Sequence, residues 1–132
     1  MSKILVVDDQ LGVRTLLVSI FEDDDHEVKM AANGESALRL LSSFSFEPDL
    51  ILLDLKMPGM SGLETLEKIR AIDRRVAVII MTGDGDPHNA EQGQELGILC
   101  YITKPFDLFE LRERVKEILN SSGISTKKTL GG

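Results

Sequence analysis

The chain has 132 residues, 42% of them hydrophobic and 28% charged, with a formal net charge of -7. That length suits one domain with its own core, and the composition is that of a globular protein rather than a disordered one. An acidic balance argues against direct nucleic-acid binding, which normally needs a basic face, and fits a soluble intracellular surface. The single cysteine, Cys100, rules out a disulfide within the chain and reads as a core thiol in the apolar run "ILCYI". The opening "MSKILVVDD" does not resemble a signal peptide. No stretch approaches the roughly 18 apolar residues of a membrane span. A cytoplasmic protein with no membrane partner is expected.

Taken in order, short apolar runs alternate with longer amphipathic stretches. "KILVV" (3–7) reads as a strand, and Val13, Leu16, Leu17, Ile20 and Phe21 follow with helical spacing. "EVKMA" (27–31) is a weaker strand, leading through Asn33-Gly34 to a helix with Ala37, Leu40, Leu41 and Phe44 on one face. "DLILL" (49–53) is the third strand. Ser61 and Glu64 then form a capping-box pattern that opens a helix through Leu63, Leu66 and Ile69. "VAVIIM" (76–81) is the fourth strand, and the stretch 86–97 reads as a helix poor in large apolar residues. "ILCYI" (98–102) is the fifth strand, before a last helix capped by Asp107, with Glu110 completing its box.

Five β-α units with continuous aliphatic strands predict an α/β fold: a parallel sheet covered by helices on both sides. Right-handed crossovers favour the doubly wound, flavodoxin-like order 2-1-3-4-5. The domain is expected over residues 1–120, with the polar stretch 121–132 as a flexible tail or linker.

In such sheets the ligand crevice lies at the carboxyl ends of the strands, where the strand order reverses. The first strand ends in Asp8-Asp9, the third in Asp54, the fourth in Thr82 and the fifth in Thr103-Lys104-Pro105. Singly, each reads as a loop residue or helix cap. Four neighbouring strands that place compatible groups on one rim, with Asp54 at its centre, read as a site. Two carboxylates about 4 Å apart repel by about 4 kcal/mol at an effective dielectric of about 20. Three together take up protons or hold a cation, and all-oxygen ligands select a hard one: Mg²⁺ or Mn²⁺, with Ca²⁺ a further candidate. Lys104 adds a point charge for an anion and Thr82 a hydroxyl, so a phosphoryl group beside a metal fits the rim. An aspartate can itself be the nucleophile, and Asp54 is the natural acceptor. Pro58-Gly59 then hold the loop behind it.

The blocks "ILVVDDQ", "DLILLDLKMPGMSG", "VIIMTG" and "YITKPFD" resemble the receiver domain of two-component response regulators over about residues 3–120. The resemblance implies that Asp54 is phosphorylated by a histidine kinase or a histidine phosphotransfer protein. Asp8, Asp9, Asp54 and the main-chain carbonyl of Lys56 become the Mg²⁺ ligands. Thr82 bonds the phosphoryl oxygen, Lys104 pairs with it, and Pro105 follows a cis peptide. Tyr101 falls at the family's aromatic switch position, where it either follows Thr82 inward or serves as an ordinary strand aromatic. Lys56 and Asp84 lie where the family tunes phosphoryl lifetime, and Lys56 either bridges to the phosphate or stays solvated. The expected output surface is the helix over 86–97, the fifth strand and the last helix, which bind an output domain or target protein. "VVDDQLGVRTLL" with Lys56 is similar to single-domain phosphorelay regulators.

Catalysis is expected to extend no further than the domain's own phosphorylation and dephosphorylation. An aspartate-nucleophile phosphatase would tend to carry a second Asp two residues after the nucleophile, where this chain has Lys56 after Asp54 and Gln10 after Asp8. A flavodoxin-like cofactor module would place a phosphate against acidic strand ends, with no glycine-rich loop after the first strand. A docking-only receiver would have no use for the intact acidic rim.

Overall fold

A computed structural model of the chain describes residues 1–43, 46–83 and 95–123. Five strands form one parallel sheet: β1 (Lys3–Val7), β2 (Glu27–Ala31), β3 (Leu50–Asp54), β4 (Ala77–Thr82) and β5 (Ile98–Thr103). Their order is β2-β1-β3-β4-β5, as the alternation of elements predicts. Three helices, α1 (Leu11–Asp23), α2 (Gly34–Ser42) and α3 (Gly62–Ile72), and a C-terminal helix (Leu108–Gly123) flank it. That last helix continues past residue 120, where the domain was expected to end, and runs through Gly123. Most of the predicted helix over 86–97, and Phe44, lie outside the described residues; Glu95 and Leu96 are helical.

Successive residues of each central strand face opposite sides of the sheet, and both sides are covered. Leu5, Val7, Ile51, Leu53, Val78 and Ile80 pack with Ala37, Leu41, Leu66 and Ile69 of α2 and α3. Ile4, Val6, Leu50, Leu52, Ile79 and Met81 pack with Leu17 and Phe21 of α1 and with Leu111, Val115 and Leu119 of the C-terminal helix. This double burial is why the strands read as unbroken aliphatic runs.

Local signals start the helices where the sequence places them. Asn33 Oδ1 accepts from the Ser36 N–H at 2.8 Å. Ser61 Oγ accepts from Glu64 N–H while Glu64 Oε1 accepts from Ser61 N–H, a complete capping box. Asp107 Oδ1 accepts from Glu110 N–H at 3.0 Å.

Candidate phosphoacceptor site

Register brings the polar strand ends together. Val7 pairs with Leu53, Asp54 with Met81, and Thr82 with Thr103, so the residues ending β1, β3, β4 and β5 share one rim. The Leu55 N–H donates to Met81 O at 2.8 Å and the Lys104 N–H to Thr82 O at 2.6 Å, which carries the alignment one residue past the strands. The Lys104–Pro105 peptide is cis.

Asp8 is fully buried, and Asp54 and Thr82 are 5% and 3% exposed, while Asp9 is exposed. One carboxylate oxygen from each of Asp8, Asp9 and Asp54 lies within 4.8 Å of the others. Lys104 Nζ donates to Asp8 Oδ2 at 2.7 Å and stands 3.5 Å from Asp54 Oδ1. One ammonium therefore meets two of the three carboxylates, Asp8 and Asp54. The electrostatic result is visible at Asp54: burial, then the Asp8 charge, push its carboxyl up from 3.8 to about 6, against the lowering pull of Lys104. At Lys104 burial works to lower the pKa, but the hydrogen bond to Asp8 and the Asp54 charge outweigh it and raise the ammonium above its ordinary range. The pocket holds excess negative charge on hard oxygen donors. That donor set fits a divalent cation such as Mg²⁺.

The loop behind Asp54 is shaped by glycine. Gly59 has φ +78°, a conformation that side-chain-bearing residues rarely adopt. Gly62 begins α3, its N–H donating to Leu55 O at 2.8 Å, and a Cβ there would run into the Asp54 carbonyl oxygen and Leu55 Cα. The missing side chain lets the helix seat directly on the Asp54–Leu55 peptide.

The sequence of this site and its frame matches the family described as "Response regulator receiver domain" over residues 4–116. The chain belongs to that family. The receiver is 44% identical over 117 residues to the "Sporulation initiation phosphotransferase F" of Bacillus subtilis, covering 89% of this chain and 93% of that protein. It is 40% identical to the transcriptional regulatory protein ResD of the same organism, and there it spans 48% of the relative's length. Of the regulatory protein AtoC from Escherichia coli, 36% identical, it spans 25%. A receiver domain structure from Clostridium thermocellum superposes with a TM-score of 0.85 at 31% identity, covering 96% of this chain and all (100%) of that one. The response regulator TrrA of Thermotoga maritima, solved in complex with Mg(2+)-BeF, gives 0.75 at 37% identity, covering 90% of this chain and 100% of its own.

This receiver is a phosphoacceptor module of two-component signalling, and its geometry gathers Asp8, Asp9, Asp54, Thr82 and Lys104 at one place. Lys56 follows Asp54 with an exposed side chain. Tyr101 of β5 packs, partly buried, against the core on the α2–α3 side, and burial raises its pKa. Asp84 lies outside the described residues. Among the described residues no helix is long and apolar enough to cross a membrane. The sequence reading did not find Arg14 of α1, whose Nη1 donates to the Asp8 carbonyl at 2.7 Å, or the Gln10 N–H, which donates to Asp8 Oδ1 at 2.8 Å. A cation in the first turn of the helix that follows the acidic pair was the available signal.

Proposed function

We propose that Asp54 accepts a phosphoryl group from a phosphohistidine of a histidine kinase or a histidine phosphotransfer protein. A carboxylate oxygen attacks phosphorus, the new P–O bond forms as the P–N bond breaks, and the imidazole leaves with the electron pair. The observation that carries this reading is a buried aspartate set beside two further carboxylates, with Lys104 within 3.5 Å of it and Thr82 ending the neighbouring strand.

Asp8, Asp9, Asp54 and the Lys56 carbonyl are the groups that would hold Mg²⁺. The ion supplies charge neutralisation for the transferring phosphoryl group when bound. The Mg(2+)-BeF complex of TrrA supports that choice of ion. Lys104 positions and neutralises the anion, and the Thr82 hydroxyl donates to it. Donor contacts at Thr82 and Lys104 favour one arrangement of the rim, and β5 with its Tyr101 carries the change to a partner surface beside the C-terminal helix. The 44% identity to a protein named a phosphotransferase, over most of both chains, favours a relay step in which Asp54 passes the group to a second histidine.

Intact-mass spectrometry after incubation with acetyl phosphate tests the acceptor. A single Mg²⁺-dependent phosphoryl adduct is expected on the wild type and none on Asp54→Asn. An adduct that persists on the variant would move the acceptor elsewhere. Thr82→Ala should still form the adduct while partner binding to the phosphorylated protein weakens; full binding would remove Thr82 from the switch.

A further inference from the structure

Asp8 and Asp9 are adjacent in sequence but are held in different ways. Every polar atom of Asp8 has a partner. Its N–H donates to Ala31 O at 3.1 Å, its Oδ1 accepts from Gln10 N–H at 2.8 Å, and its Oδ2 accepts from Lys104 at 2.7 Å. Its carbonyl accepts from Arg14 Nη1 at 2.7 Å. Asp9, in contrast, is exposed. The Asp8 carbonyl belongs to the Asp8–Asp9 peptide, so Arg14 fixes the plane that links the two carboxylates. Arg14 is itself anchored, because its N–H donates to Gln10 O at 3.1 Å as α1 begins.

We infer that Arg14 is a positioning residue that presets the Asp8–Asp9 turn and thereby sets which divalent cation the pocket prefers. The inference rests on the metal-site reading above. Mg²⁺ requires near-octahedral ligands at short distance, whereas Ca²⁺ accepts longer and irregular ones. A rigid turn favours the small ion, and a loosened one forfeits more Mg²⁺ than Ca²⁺ affinity. Groups that orient metal ligands typically contribute about 10–100-fold to affinity.

Simple electrostatics predicts the opposite sign. Removing a cation from beside an acidic pocket strengthens divalent binding. The sign of the change therefore separates positioning from charge.

The experiment is calorimetric titration of the intact chain with MgCl₂ and, separately, CaCl₂, on wild type, Arg14→Met and Arg14→Lys, with metal-free thermal midpoints measured alongside. Expected are an Mg²⁺ affinity about tenfold weaker in Arg14→Met, a smaller loss for Ca²⁺, and partial recovery in Arg14→Lys, which keeps a donor in reach. Tighter or unchanged Mg²⁺ binding in Arg14→Met would overturn the positioning role. Equal losses for both ions would overturn the selectivity. A wild type that binds neither ion would instead remove the metal-site reading on which the inference stands. If Arg14→Met does not fold, Arg14→Gln, which also removes the cation, carries the same test.

Discussion

At the amino ends of the strands, the Arg70 guanidinium donates to the carbonyls of Val76 and Leu96, both at 2.7 Å, and reaches Gly97 at 3.3 Å and Asp73 at 3.4 Å. Nearby, Asp49 accepts from the Lys3 N–H and Asp73 from the N–H groups of Arg75 and Val76. At the carboxyl ends, Asp8, Asp9 and Asp54 lie close together, with Lys104 bonded to Asp8 and beside Asp54. Both ends are rich in charge and both use backbone dipoles, but at the first end Arg70 meets only backbone carbonyls, whereas at the second the carboxylates also crowd one another. The second retains an excess of negative charge, three carboxylates to one ammonium. Polar content does not mark a working site; incomplete neutralisation of buried charge does.

Removing a charge at the two ends should therefore have effects of opposite sign. Arg70→Met removes a charged donor from several carbonyls at once and should cost about 2–4 kcal/mol in urea unfolding. A loss under about 1 kcal/mol would mean that water replaces those bonds freely. Gly62→Ala forces a methyl group against the Asp54–Leu55 peptide and should cost about 1–3 kcal/mol, since the colliding atoms are backbone.

Asp54→Asn should do the reverse and stabilise the metal-free protein. The Asp54 carboxyl titrates at about 6 when folded against an ordinary 3.8, so the folded state binds the proton more tightly. Wild-type stability then falls as pH rises from about 4 to about 6 and stays lower above that. Allowing for solvent screening, the variant should gain on the order of 1–2 kcal/mol at pH 7 and nothing near pH 4, read by urea unfolding in chelator. An equal gain at both pH values would rule out carboxylate repulsion as the cause.

The smallest effect is expected at His26, beside the amino ends. Its Nδ1 accepts from the Ser2 N–H at 3.2 Å, and burial lowers its pKa below 6.5 despite the nearby Asp24. Stability from the neutral ring is complete above about 6.5 and declines as pH falls toward the lowered pKa. His26→Gln should flatten that segment of the stability profile; an unchanged slope would assign it to other groups.

Much of this was legible because the signals are local or periodic. The strands at 3–7 and 27–31 coincide with β1 and β2, and the Ser61–Glu64 box is present. The rim followed from topology: once the order is 2-1-3-4-5, strand ends that carry Asp, Thr and Lys must meet. What could not be read are contacts that depend on where a long side chain returns to the backbone. Arg14 and Arg70 look like ordinary helix cations in sequence, yet each terminates on carbonyls of other segments. Helix α1 gave a similar surprise. Leu16 fits the apolar spacing but is exposed, whereas Leu17 and Phe21 carry the packing. Near the edge of an apolar stripe, spacing does not decide which residue faces inward.

The position of Tyr101 has a practical consequence. The chain has no tryptophan and a single tyrosine, and that tyrosine sits on the edge strand β5, three residues before Lys104. Ultraviolet emission excited beyond the phenylalanine band therefore originates at one known point, half-shielded against the α2–α3 side of the sheet. Rearrangement of β5 should change the quenching of that ring, while events confined to β1 and β2 should leave its emission unchanged. The fold thus contains its own optical probe, placed on the strand that leads into Lys104, the partner of Asp8.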